Sequence, residues 1–293
     1  MMSFFQMQRK QIIKQKEVTD FWEKEVCGTR FAKKNSDSTN YEQIRDSRYR
    51  VEPYIKEFAF EFPNGNIADK KVLEIGVGAG TDFIEFLKRD AICSGIDATE
   101  SAIKETRRNI DCAFQDNNYR LEYLEKVNAE KLPFDNNYFD IVYSYGVLHH
   151  AKNTMTCLSE AIRVLKPGGT IKIMVYSDFS ATGIMLWILY GLTKFKIFAS
   201  QEKIIFNFLE SPGTKCYSNK ELKKILEGFS LENVVLKKFA GTGDLLLMPP
   251  SKKYKGNLIY TIAKKVYPRF FIRKFQNIFG LALTAQAKKS FKD

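Results

Sequence analysis

Between residues 71 and 173 the chain alternates short runs of β-branched and apolar residues with longer stretches whose apolar positions recur at helical spacing. The runs predict strands over 72–75, 91–96, 119–127, 139–143 and 170–176; the stretches between them predict helices over 81–89, 99–109 and 154–165. Pro167-Gly168-Gly169 is expected to stop the last of these helices. Alternation of this kind is the pattern of βαβ units and a parallel sheet. Right-handed crossovers then bring the carboxyl end of each strand to one edge, where open α/β sheets hold their ligands.

After Tyr176 the alternation breaks. A segment rich in Phe, Ile, Leu and Trp occupies 177–217 and reads as a lid inserted after the fifth strand. Ser218-x-x-Glu221 is a capping-box pattern that opens a helix to about Glu227, and a strand is expected near 233–239. A second excursion, 241–278, precedes a last strand over 279–287. Residues 1–66, with Phe21, Trp22, Tyr41, Tyr49 and Tyr54, read as a mainly helical cover over a catalytic domain spanning 67–293.

With 293 residues, 44% of them hydrophobic, the chain can bury a full core. The five cysteines are scattered without C-x-x-C pairing, so neither a metal site nor a disulfide framework is expected. The amino terminus lacks the apolar core and cleavage site of a signal peptide, which predicts a cytoplasmic protein. The apolar stretch 183–192 is about half of the roughly 20 residues that span a bilayer. The net charge of +12 is uneven: residues 252–293 hold eleven Lys or Arg against one acid, Asp293. That tail is either a solvated basic face or a contact for phosphate-rich partners or for an anionic membrane surface on the inner, cytoplasmic side.

The chemistry gathers at the predicted strand ends. Residues 72–81, VLEIGVGAGT, form a strand, a glycine-rich turn and a helix start, with spacing E-x-G-x-G-x-G. A dinucleotide fingerprint needs G-x-G-x-x-G, and counting six from Gly76 or Gly78 reaches Thr81 or Phe83. Asp97 ends the next strand, 23 residues after Glu74, where an acid can accept the hydroxyls of a ribose or cap the helix opening at Thr99. Then follow Asn128-Ala129-Glu130 after the third strand, the run from Asp140 to His150 around the fourth, and the run from Glu160 to Gly169 before the fifth.

In this order, over roughly 71–176, these segments resemble the class I S-adenosylmethionine-dependent methyltransferases, within the broad "methyltransferase type 11" group. The resemblance implies a Rossmann-like α/β fold with a seven-stranded sheet whose last strand is antiparallel. It implies S-adenosylmethionine as cofactor, with Glu74, Gly76, Gly78, Ala79 and Gly80 around its methionine and ribose part and Asp97 on the ribose hydroxyls. Ala98, Asn128 and Ala129 would meet the adenine, and Ser144, Tyr145 and Gly146 would lie beneath the sulfonium. The pattern Phe21-Trp22, Cys27-Gly28-Thr29 and Arg48-Tyr49-Arg50 is similar to a subgroup in which such residues close over the cofactor; this singles out Tyr49 and Arg50. The segment 211–217 is similar to one after the insertion in the same subgroup and places Tyr217 near the acceptor.

Methyl transfer from a sulfonium is an in-line displacement with a neutral leaving group, so alignment can supply much of the acceleration. A general base matters only for an acceptor that keeps its proton at neutral pH. His149 and His150, the chain's only histidines, are adjacent just past the fourth strand and could serve as base or hold the loop. Some relatives orient a catalytic histidine with an acid at the end of the fifth strand; here Val175 and Tyr176 stand there, with Asp178 near enough to substitute. Tyr176 joins the histidines as a candidate catalytic residue. The lid aromatics could line an acceptor pocket, pack between helices or meet a second copy.

The expected activity is methylation of a small-molecule, lipid or sugar acceptor at O, N or S. Within that class stand a thiol or sulfide acceptor needing no base and a lipid or quinone acceptor at a membrane surface. From other classes stand a nicotinamide-dependent oxidoreductase, opposed by the missing fingerprint glycine, and a non-catalytic cofactor-binding protein. Nucleic acid is not the expected partner, since no RNA-binding module is recognisable and the region after the fourth strand reads Tyr143-Ser144-Tyr145-Gly146 in place of an N-P-P-Y motif.

Overall fold

The computed structural model describes residues 15–24, 26, 40–62, 65–192, 198–209, 213–247 and 264–291. Cys27-Gly28-Thr29, Ser211-Pro212 and the lysines 252, 253 and 255 lie outside the described residues. Eight strands form one sheet: β1 (Lys71–Ile75), β2 (Ile92–Asp97), β3 (Leu121–Lys126), β4 (Phe139–Tyr145), β5 (Leu165–Ser177), β6 (Cys216–Tyr217), β7 (Leu231–Phe239) and β8 (Ala282–Lys289). The order is β3-β2-β1-β4-β5-β8-β7, with β6 paired to β5 off this path. The first five strands are parallel, and β8 runs antiparallel between β5 and β7. This is the expected α/β architecture, with the two-residue β6 added where β5 outruns β4.

Strand parity decides which side chains reach the site, because successive residues point to opposite faces. In β5, Ile171, Ile173 and Val175 pack into the core shared with α6 (Thr154–Val164) and α7 (Asn219–Glu227). Lys172, Met174 and Tyr176 take the other face. On that face Ile141 and Tyr143 of β4 join the core formed with α3 (Tyr54–Phe60), α4 (Thr81–Leu87) and α5 (Glu100–Ala113).

Two boundaries differ from expectation. Helix α6 ends at Val164 and β5 begins at once: Leu165 pairs with Phe139, the chain bulges, and pairing resumes at Thr170 with Ile141. Pro167-Gly168-Gly169 therefore interrupts a strand and does not form a helix stop. The last strand begins three residues later than 279, because Gln276–Phe279 is helical, and it continues through two lysines. Lys289 belongs to the interior: its Nζ donates to Asn137 Oδ1 (2.9 Å) and to the carbonyls of Ile162 (2.9 Å) and Leu165 (3.0 Å).

The described part of 1–66 comprises α1 (Gln15–Lys24), α2 (Tyr41–Val51) and α3. Among the described residues no helix is long and apolar enough to cross a membrane. Lys172, fully buried, fastens this cover to the sheet by donating to the carbonyls of Phe58 (2.7 Å) and Glu61 (2.6 Å) at the end of α3. Burial pulls its ammonium down to about 8. Lys172→Met removes both donors and should lower stability by roughly 1–3 kcal/mol for each carbonyl left unpaired, read from urea denaturation midpoints. An unchanged midpoint would show that the cover is held elsewhere.

Candidate active site

A cavity of about 310 Å³ opens at the carboxyl ends of β1, β2, β4 and β5. Its first half is built by the β1–α4 turn. Gly76 sits at φ +86°, where a Cβ would come 2.2 Å from Val147 Cγ2. Gly80, at φ +76°, caps α4 in the left-handed conformation. Both positions exclude ordinary side chains; Gly76 presents its backbone to the cavity, whereas Gly80, expected at the cofactor, is outside the lining and packs against Thr106.

Asp97, at the end of β2, fixes the same turn. Its Oδ2 accepts from the Gly78 amide (3.1 Å), and its Oδ1 accepts from the Thr99 amide (3.0 Å) and hydroxyl (2.8 Å). Burial raises its carboxyl, and these donors oppose the rise. Helix α5 is capped by Thr99, so Asp97 is not the capping residue. A carboxylate offers about four acceptor sites, and the donors from Gly78, Ala98 and Thr99 already engage them, so a ligand hydroxyl would share Asp97 with these donors or displace the Thr99 hydroxyl.

Glu74, Gly76, Gly78, Ala79, Asp97, Ala98, Asn128, Ala129, Tyr145 and Gly146 all line this cavity. Ser144 does not: parity turns it away from Tyr145, and its Oγ donates to the Ile75 carbonyl at 2.9 Å, tying β4 to β1. Glu74 is buried, and its Oε2 has no hydrogen-bond partner. Burial and the nearby Asp82 push its carboxyl well above the usual range. An orphaned acid at a cavity wall fits a ligand with cationic N–H donors, such as the α-ammonium of S-adenosylmethionine. The residues present therefore suit that cofactor.

The two residues expected to close over the cofactor lie elsewhere. Tyr49 is buried in the core, its hydroxyl donating to Asp82 Oδ1 at 2.8 Å. Arg50 is exposed beside Asn40, Glu42 and Asp46 on the outer surface. Two residues along a helix is a turn of about 200°, so Arg50 faces away from Arg48. Arg48 takes the inner position: Nη2 and Nε donate to Asp82 at 2.7 and 3.2 Å, and its guanidinium lies 4.9 Å from the Tyr145 ring centre.

The other half of the cavity is walled by Val18, Trp22, Met174, Tyr176 and Leu209, with a small polar group opposite. Glu52, just past the end of α2, lines it; Oε1 accepts from the Thr242 amide at 2.9 Å, and burial raises its carboxyl while Arg48 opposes. The hydroxyls of Tyr54 and Tyr145 meet at 2.8 Å. Asp244 is buried with both oxygens engaged, by Thr182 and by the amides of Gly241 and Leu281. Sequence reasoning missed Arg48, Glu52, Tyr54 and Asp244. Arg48 and Glu52 are spaced i, i+4 on one helix face, and Gly241-Thr242-Gly243-Asp244 is a turn pattern; these were the available signals.

The histidines divide. His150 lines the cavity, its Nδ1 3.2 Å from Thr214 Oγ1, with Trp22 edge-on at 5.4 Å. Burial and Lys215 pull it down to about 3, so it is neutral at physiological pH and a weak base. His149 is fully buried and outside the cavity lining, with neither ring nitrogen hydrogen-bonded; it packs against Tyr176 with ring centres 4.1 Å apart. Asp178 bonds to the Tyr217 carbonyl through its amide and contacts Ser177, so it does not orient His149. Tyr217, expected near the acceptor, is in the core beneath β5, because pairing with Ser177 turns it to the face opposite Tyr176.

Fold and site together define a class I methyltransferase using S-adenosylmethionine. Residues 73–173 match the family model described as "Methyltransferase domain", so the chain carries that domain and is a methyltransferase acting on a small molecule. It is 27% identical over 179 residues to the demethylmenaquinone methyltransferase of Tropheryma whipplei (strain Twist), covering 60% of this chain and 72% of that one. It is 32% identical over 145 residues to the ubiquinone/menaquinone biosynthesis C-methyltransferase UbiE of Cereibacter sphaeroides (strain ATCC 17029 / ATH 2.4.9), covering 48% of this chain and 56% of that one. The fold is shared with Haemonchus contortus phosphoethanolamine N-methyltransferase 2, solved with phosphomonomethylethanolamine and S-adenosylhomocysteine. That likeness has a TM-score of 0.55 at 15% identity and covers 93% of this chain and 60% of that one.

Asp97→Ala removes a charged acceptor from the cavity and the anchor of Gly78. It should weaken S-adenosylhomocysteine binding at least about tenfold in calorimetry while the protein stays folded. Unchanged affinity would remove Asp97 from the cofactor site.

Proposed function

We propose that the chain methylates an apolar, hydroxylated aromatic acceptor of the quinol kind, with Glu52 as proton acceptor. The observation that carries this reading is the carboxylate Glu52, beside the Tyr54–Tyr145 hydroxyl pair and facing the apolar and aromatic wall, while the neighbouring Asp244 has both oxygens engaged by Thr182, Gly241 and Leu281. Ligand sites of this composition favour an apolar body with a few fixed polar contacts. The relatives named for quinone methylation support the same acceptor class.

The bound cofactor supplies an electrophilic methyl group on a sulfonium whose sulfur leaves neutral. Glu74 and Asp97 would hold its polar ends, with Ala98, Asn128 and Ala129 lining the part of the cavity that would take its base. Tyr145, Gly146 and Tyr176 align the acceptor, which supplies part of the acceleration. Glu52 takes the proton of the acceptor hydroxyl; the oxygen would then take the methyl as the methyl–sulfur bond breaks, or the conjugated ring carbon would take it, with the C–H proton of that carbon passing to the ring oxygen to restore the hydroxyl. His150, neutral and weakly basic, shapes the pocket. An acceptor of this kind resides in a bilayer, so the enzyme would work against the cytoplasmic face of a membrane.

An acceptor screen scored by S-adenosylhomocysteine release tests the reading, with hydroquinones, thiols, amines and lipid extracts compared. Hydroquinones should turn over, and the wild-type rate should rise with pH as the Glu52 carboxyl, raised by burial, ionises. Glu52→Gln should abolish that limb and lower kcat roughly 100-fold to 10,000-fold, with cofactor affinity preserved. Turnover of thiols instead, with Glu52→Gln losing less than about tenfold, would replace this reading by a base-free sulfur methylation.

A further inference from the structure

We infer that the outer face of residues 264–279 is a docking surface for an anionic lipid bilayer, seated beside the acceptor half of the cavity. The segment holds five cations, Lys264, Lys265, Arg269, Arg273 and Lys274, and no acid. Between the cations it exposes large apolar side chains: Phe270 (81%), Val266 (75%), Ile278 (51%) and Phe271 (50%). A monomeric protein rarely leaves so much contiguous apolar surface in water without a use. Aromatic residues interleaved with Lys and Arg on one face suit the boundary between headgroups and acyl chains. Anionic headgroups complement the charge, whereas a second copy of this face would bring like charges together.

The inner side of the segment ties it to the cavity. Ile272 is buried against Ala181, Ala240 and Leu245, neighbours of the cavity residues Thr182, Gly241 and Asp244. Arg269 donates to the Leu245 carbonyl at 2.9 Å. Phe279 packs 6.0 Å from the half-exposed Phe179, which leads from β5 into the acceptor wall. Lys238 bridges the two, donating to the carbonyls of Phe179 (3.1 Å) and Ile278 (3.3 Å). A bilayer met by this face would lie next to the acceptor entrance. The purpose of such docking rests on the apolar acceptor proposed above, but its test contains no acceptor, so the two can fail separately.

Co-sedimentation of the full chain with vesicles tests the inference. Vesicles of an equal mixture of phosphatidylcholine and phosphatidylglycerol should bind it, vesicles of phosphatidylcholine alone should bind it far less, and added salt should weaken binding. Arg273→Glu with Lys274→Glu should reduce binding at least about tenfold, since each cation near an anionic surface contributes to attachment. Phe270→Glu should also reduce it. Lys288→Glu is the charge-matched control for Arg273→Glu alone: Lys288 pairs with Thr170 toward the amino end of β5 and its reversal should leave binding unchanged. Because these side chains are exposed, the folded state should persist, checked by unchanged S-adenosylhomocysteine affinity. Absence of vesicle binding, or equal loss in Lys288→Glu and in Arg273→Glu alone, would overturn the inference. So would a dimer in sedimentation velocity that Phe270→Glu dissociates without any lipid effect.

Discussion

One buried carboxylate organises the junction between cover and catalytic sheet. Asp82, in the first turn of α4, accepts from Arg48 Nε and Nη2, from the Tyr49 hydroxyl and from the Tyr143 hydroxyl at 2.8 Å. A buried anion is tolerable only when its acceptor sites are filled, and here three residues from two elements fill them: α2 gives Arg48 and Tyr49, β4 gives Tyr143. Burial works against the Arg48 charge, but Asp82 together with Tyr143 and Tyr145 outweighs it and raises the guanidinium. The same arrangement orients the glycine turn, which runs directly into α4, and sets Arg48 over Tyr145.

The two halves of the cavity follow from that junction. Toward β1 and β2 the walls are backbone and carboxylates, suited to a cationic, hydroxyl-bearing cofactor. Toward the cover they are aromatic and apolar, with Glu52 brought in just beyond the helix turn that follows Arg48. Proton chemistry therefore sits on the cover side. The histidine pair on the opposite loop is desolvated and neutral, with His149 shut inside the core.

Much of the sheet was legible because strand and helix periodicities alternate cleanly over 71–173, and the glycine turn with Asp97 read as a ligand edge for the same reason. What failed was mostly parity. Ser144, Tyr217 and Arg50 lie within a residue or two of the right place but on the wrong face, and a residue string does not say which face a short strand or helix end will present. Lys289, counted with the basic tail, is interior, as is Lys172, because carbonyls left open by neighbouring helix and strand ends need donors. Glu52 and Asp244 reach the cavity through contact between segments about 190 positions apart, as in the Thr242–Glu52 bond, which no local pattern encodes.

The Arg48–Asp82 pair locks cover to sheet, and a double-mutant cycle on folding stability measures the coupling between the two side chains. Arg48→Met strands a buried carboxylate and should destabilise by about 3–5 kcal/mol. Combined with Asp82→Asn, the loss should fall short of the sum of the single losses, giving a coupling of about 1–3 kcal/mol. Single losses that add to within about 0.5 kcal/mol would show that the two side chains act independently and would contradict the account.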